Sequence, residues 1–278
     1  MIAMIMLLQS DPLVTLTTDK VRARAWIAEQ VGDRFLPVRY RVADTFDELD
    51  LDSLPESVVI KASHGSGMTL IATGGGDAVT SAYADTRVVT HDGPTSTLDR
   101  EEVRSLTHRW LSTDHVTTFG ERHYAGIPRR LIAEEFLGTS VSSLLEFSVY
   151  CVKGHVVYCE LCPEPDVEFQ VDRHYRQLDV LDFRGVPASG DLPPQPSYFD
   201  EMCGIAEQLS SHFGCTRVDF LRSGDRTIVS EITHTTNGGY TTFDPPDFGR
   251  VFGRFWRGDP SIPDRFYTDA AARSAPTD

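Results

Sequence analysis

The chain is poor in positive charge. Twenty-six Lys and Arg stand against forty-one Asp and Glu, a formal net charge of −15 over 278 residues. That balance argues against nucleic acid or an anionic membrane as the main partner, since both call for a basic surface. A nucleotide is not excluded, because it needs only a local basic pocket. Long hydrophobic runs are also missing. The apolar start, Met1 to Leu8, follows no basic segment and is too short to span a bilayer. It reads as an N-terminal strand or a frayed segment, in a cytoplasmic protein with no membrane insertion.

Cysteines are few and odd in number, five in all. Cys159 and Cys162 have CxxC spacing, but no second CxxC or ordered histidine pair completes a zinc site. Reduced, structural thiols are the expectation. No Ser-His-Asp or Cys-His signature of covalent catalysis is present. The lysine-ended phosphate-loop pattern is absent as well, so Gly74-Gly75-Gly76 reads as a plain hairpin turn.

What is present begins with Val58-Val59-Ile60-Lys61-Ala62-Ser63-His64-Gly65-Ser66-Gly67. A β-branched strand ends on a lysine and a glycine-broken loop follows at once. Glycines let backbone N–H groups approach an anion, and the lysine supplies charge. Around this stretch, Thr18-Asp19-Lys20 predicts a helix start and Gly32 its end. Strands are expected over 35–42, 69–73 and 131–137, and acidic helical turns over 44–51. A helix is expected over 98–111, its first turn carrying Asp99, Glu101 and Glu102. Strands 147–152 and 155–161 form a hairpin around Lys153-Gly154, residues 163–198 are long connections with short strands, and 199–213 is a helix. Strands and helices mix without strict βαβ alternation, which predicts an α+β fold.

A second hairpin joins Thr216–Leu221 to Thr227–Thr233. Alternation puts Arg217 and Asp219 on one face, and Glu231 and Thr233 on one face. With a three-residue loop, Gly224-Asp225-Arg226, Asp219 lies opposite Glu231 and Arg217 opposite Thr233. Two carboxylates beside an arginine suit a magnesium-phosphate site. The same pattern also fits a surface hairpin facing water. Asn237-Gly238-Gly239 then adds another small turn able to turn backbone N–H groups toward an anion.

Taken together these segments resemble the ATP-grasp superfamily and, within it, the TupA-like ATP-grasp proteins. The resemblance runs through Asp11-Pro12-Leu13, Thr18-Asp19-Lys20 with Arg24, the lysine strand and glycine loop, Tyr124 before Arg129 and Glu134, Arg217-Val218-Asp219, and Glu231-Ile232-Thr233 with Gly238-Gly239. It implies two α+β lobes with antiparallel sheets clamping ATP, and a nearly absent N-terminal pre-ATP-grasp region. The lobes would follow a 1–16 segment as a 17–135 lid lobe and a 136–268 metal-binding lobe, before a disordered 269–278 tail.

By resemblance, Lys61 and Arg24 contact ATP phosphate, and His64, Gly65, Ser66 and Gly67 form a mobile loop over it. Glu134, Glu135, Phe136 and Leu137 form the adenine-binding hinge strand, and Glu146 holds the ribose. Asp219, Glu231 and Thr233 hold Mg²⁺, with Arg217 at the transferred phosphate. Thr233 stands where relatives often carry asparagine, and Glu146-Phe147-Ser148 where they often carry Asp-x-Lys. The implied activity is an ATP-dependent carboxylate–amine ligase acting through an acyl phosphate, in cell-surface conjugate or natural-product synthesis. A small-molecule kinase and a non-catalytic nucleotide-binding module are the rival readings. The partners are a small carboxylate and a small amine, an amino acid or a saccharide-linked group among the options, with a homo-oligomer compatible.

Overall fold

Asp11 caps the first described helix, α1 (Pro12–Thr18), its carboxylate accepting from the Leu13 N–H, with proline in the first turn. One residue later Asp19 caps α2 (Lys20–Val31) in the same way, and Gly32 at φ 101° ends it. The computed structural model describes residues 11–74, 87–91, 95, 98–138, 145–164, 167–181 and 191–268. The apolar start, Gly75, Gly76 and the tail from Asp269 lie outside the described residues.

The chain divides into two units, and its described strands form two five-stranded sheets. The N-terminal unit takes Leu7–Leu144 and recovers Leu221–Ile232 from far down the chain. Its sheet contains β1 (Arg39–Ala43), β2 (Val58–Ala62), β3 (Thr69–Gly74), β4 (Arg87–His91) and β5 (Leu131–Glu135), in the order β1-β5-β2-β3-β4. All pairings are antiparallel except β3 with β4, which is parallel. A short helix, α3 (Phe46–Leu49), follows β1. The longer α4 (Arg100–Ser112) is capped by Asp99, which accepts from the N–H groups of Glu101 and Glu102. It buries Val103, Leu106, Thr107 and Trp110 at helical spacing. Trp110 packs in one core with Val58, Ile60 and Ala62 of β2 and with Leu131 and Ala133 of β5. A one-turn helix, α5 (His115–Phe119), comes next.

The C-terminal unit takes Leu145–Phe220 and the chain from Thr233 onward. The second sheet holds β6 (Leu145–Val152), β7 (His155–Glu164), β8 (Val167–Val171), β9 (Cys215–Ser223) and β10 (Arg226–Thr233) in the order β10-β9-β6-β7-β8, with β10 as far as Ile232 counted in the N-terminal unit. The boundary between the units runs through the β9–β10 hairpin. Lys153 at φ 49° and Gly154 at φ 80° turn β6 into β7 with the left-handed pair that hairpin twist favours. Helix α6 (Phe199–Ser210) buries Met202, Ile205, Ala206 and Leu209. Tyr150 and Tyr158 stack at 4.3 Å, and Tyr158 meets Phe248 and Phe252 edge-on, the latter from α7 (Gly249–Trp256).

The sequence expectations need local correction. Helix α1 was not foreseen, although Asp11-Pro12 is a proper start signal. Strand β1 begins at Arg39 because Asp33–Phe35 forms a 3₁₀ turn instead. A tight hairpin at Gly74 would make β3 and its successor antiparallel, but β3 and β4 run parallel. The β9–β10 loop is Gly224-Asp225, two residues and not three, so the facing of Asp219 with Glu231 argued from a three-residue loop does not follow.

Candidate functional site

In the N-terminal unit, Lys61 emerges from β2 with its Nζ 3.3 Å from Glu134 Oε2 on neighbouring β5. Alternation along β2 buries Val58, Ile60 and Ala62 and turns Lys61 to the other face. Arg24 projects from α2 and donates from Nη1 to the Pro37 carbonyl at 2.6 Å. Lys20, one helical turn earlier, reaches Glu231 Oε1 at 2.9 Å and the Gly65 carbonyl at 2.8 Å. Lys20, Arg24, Lys61, Glu134, Ser230 and Glu231 line a single cavity, with Ala23, Ile27 and Leu36 among its apolar walls. Three cations and two carboxylates leave it one positive charge, which fits a polyphosphate carrying a divalent ion.

The glycine loop adjoins this cavity at Gly65. A Cβ on Gly65 would come within 2.9 Å of Met68 Sδ and 3.3 Å of His115 Nδ1, so a larger residue there requires the flexible Met68 side chain to shift. Ser66 is exposed, and Gly67 takes φ 70°. His64 turns away from the cavity. Its Nε2 bonds the Trp110 carbonyl at 3.0 Å, and burial lowers its pKa. A carbonyl can only accept, so Nε2 carries a proton.

The expected hinge strand is partly committed to local structure. Glu135 forms a double ion pair with Arg226, at 2.6 and 3.1 Å, and accepts from the Val38 N–H. Arg226, more than any other partner, holds its carboxyl below the usual range. Phe136 and Leu137 are buried, and the Leu137 carbonyl accepts from the Ser223 hydroxyl.

In the C-terminal unit, Arg217 and Asp219 of β9 form a two-pronged ion pair, Nε–Oδ1 2.7 Å and Nη2–Oδ2 2.9 Å. Burial works against the charge of Arg217, but Asp219 and Tyr150 outweigh it and hold the guanidinium well above its ordinary value. The Thr233 hydroxyl donates to Asp219 Oδ2 at 3.2 Å and accepts from Arg217 Nη2 at 3.4 Å. Ser148 of β6 donates to Asp219 Oδ1 at 2.8 Å. Glu146, two residues earlier on the same strand, is exposed. Carboxylate and hydroxyl oxygens form a hard donor set that suits Mg²⁺, which commonly takes one or two protein carboxylates. No group of three or more His, Cys, Asp or Glu among the described residues could hold a metal ion.

The structure therefore gathers Arg24, Lys61, Glu134 and Glu231 in one unit and Arg217, Asp219 and Thr233 in the other. Lys20 and Ser148 are the residues that sequence reasoning gave no role. The signal for Lys20 lay in Asp19-Lys20 directly before Arg24. Ser148 had none beyond sharing a strand with Glu146.

These sheets, with a lysine strand beside a glycine loop and an Arg-x-Asp/Glu-x-Thr hairpin, define an ATP-grasp fold. The chain belongs to the TupA-like ATP-grasp family, whose model matches residues 2–256. Among solved structures it is similar to the D-alanine–D-alanine ligase of Helicobacter pylori, at 15% identity and TM-score 0.46, covering 89% of this chain and 62% of that one. The ATP complex of the Bacillus anthracis D-alanine–D-alanine ligase is similar at 14% identity and TM-score 0.39, covering 79% and 54%. The ATP-grasp ligase PsnB, complexed with a precursor variant, Mg and ADP, is similar at 13% identity and TM-score 0.39, covering 80% and 51%. The chain thus spans between 51% and 62% of the length of these structures. No curated protein matches it. No helix among the described residues is long and apolar enough to cross a membrane.

Proposed function

We propose that the chain is an ATP-dependent carboxylate–amine ligase. The convergence of Lys20, Arg24 and Lys61 with Glu134 and Glu231 on one cavity carries this reading. Lys61, Lys20 and Arg24 neutralise the phosphates of ATP, and Glu134 fixes Lys61 by their ion pair. Asp219 and Glu231 supply carboxylate ligands for Mg²⁺, with the Thr233 hydroxyl as a weaker third, and the ion when bound offsets phosphate charge. Arg217, held cationic by Asp219, sits at the transferred phosphate. Gly65, Ser66 and Gly67 cover the phosphates, while His64 anchors the start of that loop. Backbone groups of Glu134–Leu137 receive adenine, and Glu146 receives the ribose.

The substrate carboxylate attacks the γ-phosphorus of ATP, giving an acyl phosphate and ADP. The amine then attacks the acyl carbon, forming an amide and releasing inorganic phosphate and a proton. The residues position the reactants and stabilise charge, and no covalent enzyme intermediate is required. Membership of the TupA-like family supports a setting in cell-surface conjugate or natural-product synthesis.

The test is incubation with Mg-ATP and pools of carboxylates and amines, following ADP, phosphate and product mass. A ligase gives ADP, free phosphate and an amide only when both substrates are present. A phosphorylated product without free phosphate would replace this reading with a kinase, and Mg-ATP binding without turnover would replace it with a binding module. Lys61→Ala and Glu231→Gln should each lower kcat about 100-fold or more.

A further inference from the structure

A second cleft in the N-terminal unit has a volume of about 270 Å³ and is separate from the Lys61 cavity. Its lining includes His64, Asp114, His115, Tyr124, Ile127 and Arg129. Tyr124 and Arg129 belong to the motif series of the sequence, yet the ligase chemistry gives them no work. Arg129 is anchored by Nη1, which donates to the Leu111 and Ser112 carbonyls at the end of α4, both at 3.3 Å. Its Nη2 stands 3.7 Å from Asp114 Oδ2, and the two side chains keep 42% and 53% of their surface exposed. At that distance the charges attract, but the separation exceeds a hydrogen bond. Behind them, His64 Nε2 is taken by the Trp110 carbonyl and His115 Nε2 by Glu121 Oε2 at 2.7 Å.

This pairing selects by charge. A simple anion such as phosphate meets repulsion from Asp114, and a simple cation meets repulsion from Arg129. A molecule with both signs on neighbouring atoms satisfies both residues. With Nη1 committed to the two carbonyls, the Nε–Nη2 edge of the guanidinium is the one that can take a carboxylate in two parallel bonds. An ammonium group one carbon away suits Asp114 Oδ2, since Oδ1 already accepts from the Thr117 N–H at 3.1 Å. Val116, Ala125 and Ile127 offer an apolar wall to a side chain, and the volume limits its size.

We propose that this cleft binds a free α-amino acid as its zwitterion, with the carboxylate on Arg129, the ammonium on Asp114 and a small or medium apolar side chain toward Ile127. The site is distinct from the Lys61 cavity and does not depend on the ligase reading. A peptide satisfies it poorly, because its two terminal charges sit on different residues.

The test is calorimetric titration of the full chain with L-alanine, L-valine and L-leucine, and with the N-acetyl and carboxamide derivatives and the dipeptide of whichever binds. The expected result is binding of at least one amino acid, weakened about tenfold or more by either modification and in the dipeptide. Asp114→Asn and Arg129→Met should weaken it as strongly. Asp114→Asn retains the amide oxygen that can accept from Thr117, so it serves if Arg129→Met disturbs the end of α4. No binding at millimolar amino acid, or a loss on modifying one end only, would overturn the proposal. Mg-ATP binding is measured on the same samples. Amino-acid binding without Mg-ATP binding keeps this site and removes the ligase reading, and the reverse removes this site alone.

Discussion

Lys20 Nζ lies 2.9 Å from Glu231 Oε1 and 2.8 Å from the Gly65 carbonyl, so one cation joins the start of α2 to a carboxylate 211 residues away and to the glycine loop 45 residues away. Both partners are oxygen acceptors that an ammonium can hold together. Lys20→Met should cost about 1.5–3 kcal/mol of folding stability, the range for hydrogen bonds to charged groups. Urea titration checks this, and a variant as stable as the parent would show the contact to be idle. Mg-ATP affinity should fall in the same variant.

Arg217 and Asp219 make a second test of buried charge. Removing one partner strands the other, so Arg217→Met and Asp219→Asn should each be strongly destabilising, with the charge left by Arg217→Met costing about 3–5 kcal/mol. Combining them should cost clearly less than the sum of the two, because the stranded charge is then gone. Strict additivity in a double-mutant cycle would mean the pair does not act as a unit.

Acidification should weaken the fold through His64 and His123, both pushed down from the ordinary value of 6.5, first by burial. The unfolded chain takes up these protons as pH falls through 6.5, while the folded chain does not, so stability drops between neutral pH and the lower folded values. Replacing His64 by Gln keeps a donor for the Trp110 carbonyl and removes one such proton. The fall in urea midpoint between pH 7.5 and pH 5.5 should then be smaller than in the parent, and an equal fall would refute the assignment.

Thiol labelling should be selective. Cys151, Cys159, Cys203 and Cys215 are buried, whereas Cys162 is half-buried. Burial raises the thiol of Cys215 to about 12 and pushes those of Cys151 and Cys159 up as well. Little thiolate forms there near neutral pH. Iodoacetamide should modify Cys162 first, and the other four only after denaturation, as peptide mass mapping would show.

Much of the local structure was readable in the sequence. Asp19 and Asp99 announced their helices, the burial alternation of β2 exposed Lys61, and Lys153-Gly154 marked its hairpin. These signals depend on neighbours within a turn or two. The misreadings have the same origin in reverse. The parallel pairing of β3 with β4 and the two-residue turn at Gly224-Asp225 are set by what each strand packs against, which residue type alone does not disclose.

The sequence by itself determined many of the helices and strands, and the presence of a lysine strand, a glycine loop and a carboxylate hairpin in family order. Tertiary structure alone decided which of these residues share a space. It brought Glu231 into the unit of Lys20 and Lys61, turned His64 away from their cavity, and placed Arg129 beside Asp114. The reason is physical: caps, turns and alternation are short-range properties of the backbone, while an ion pair between residues 20 and 231 exists only when the folding of everything between them places the two charges together.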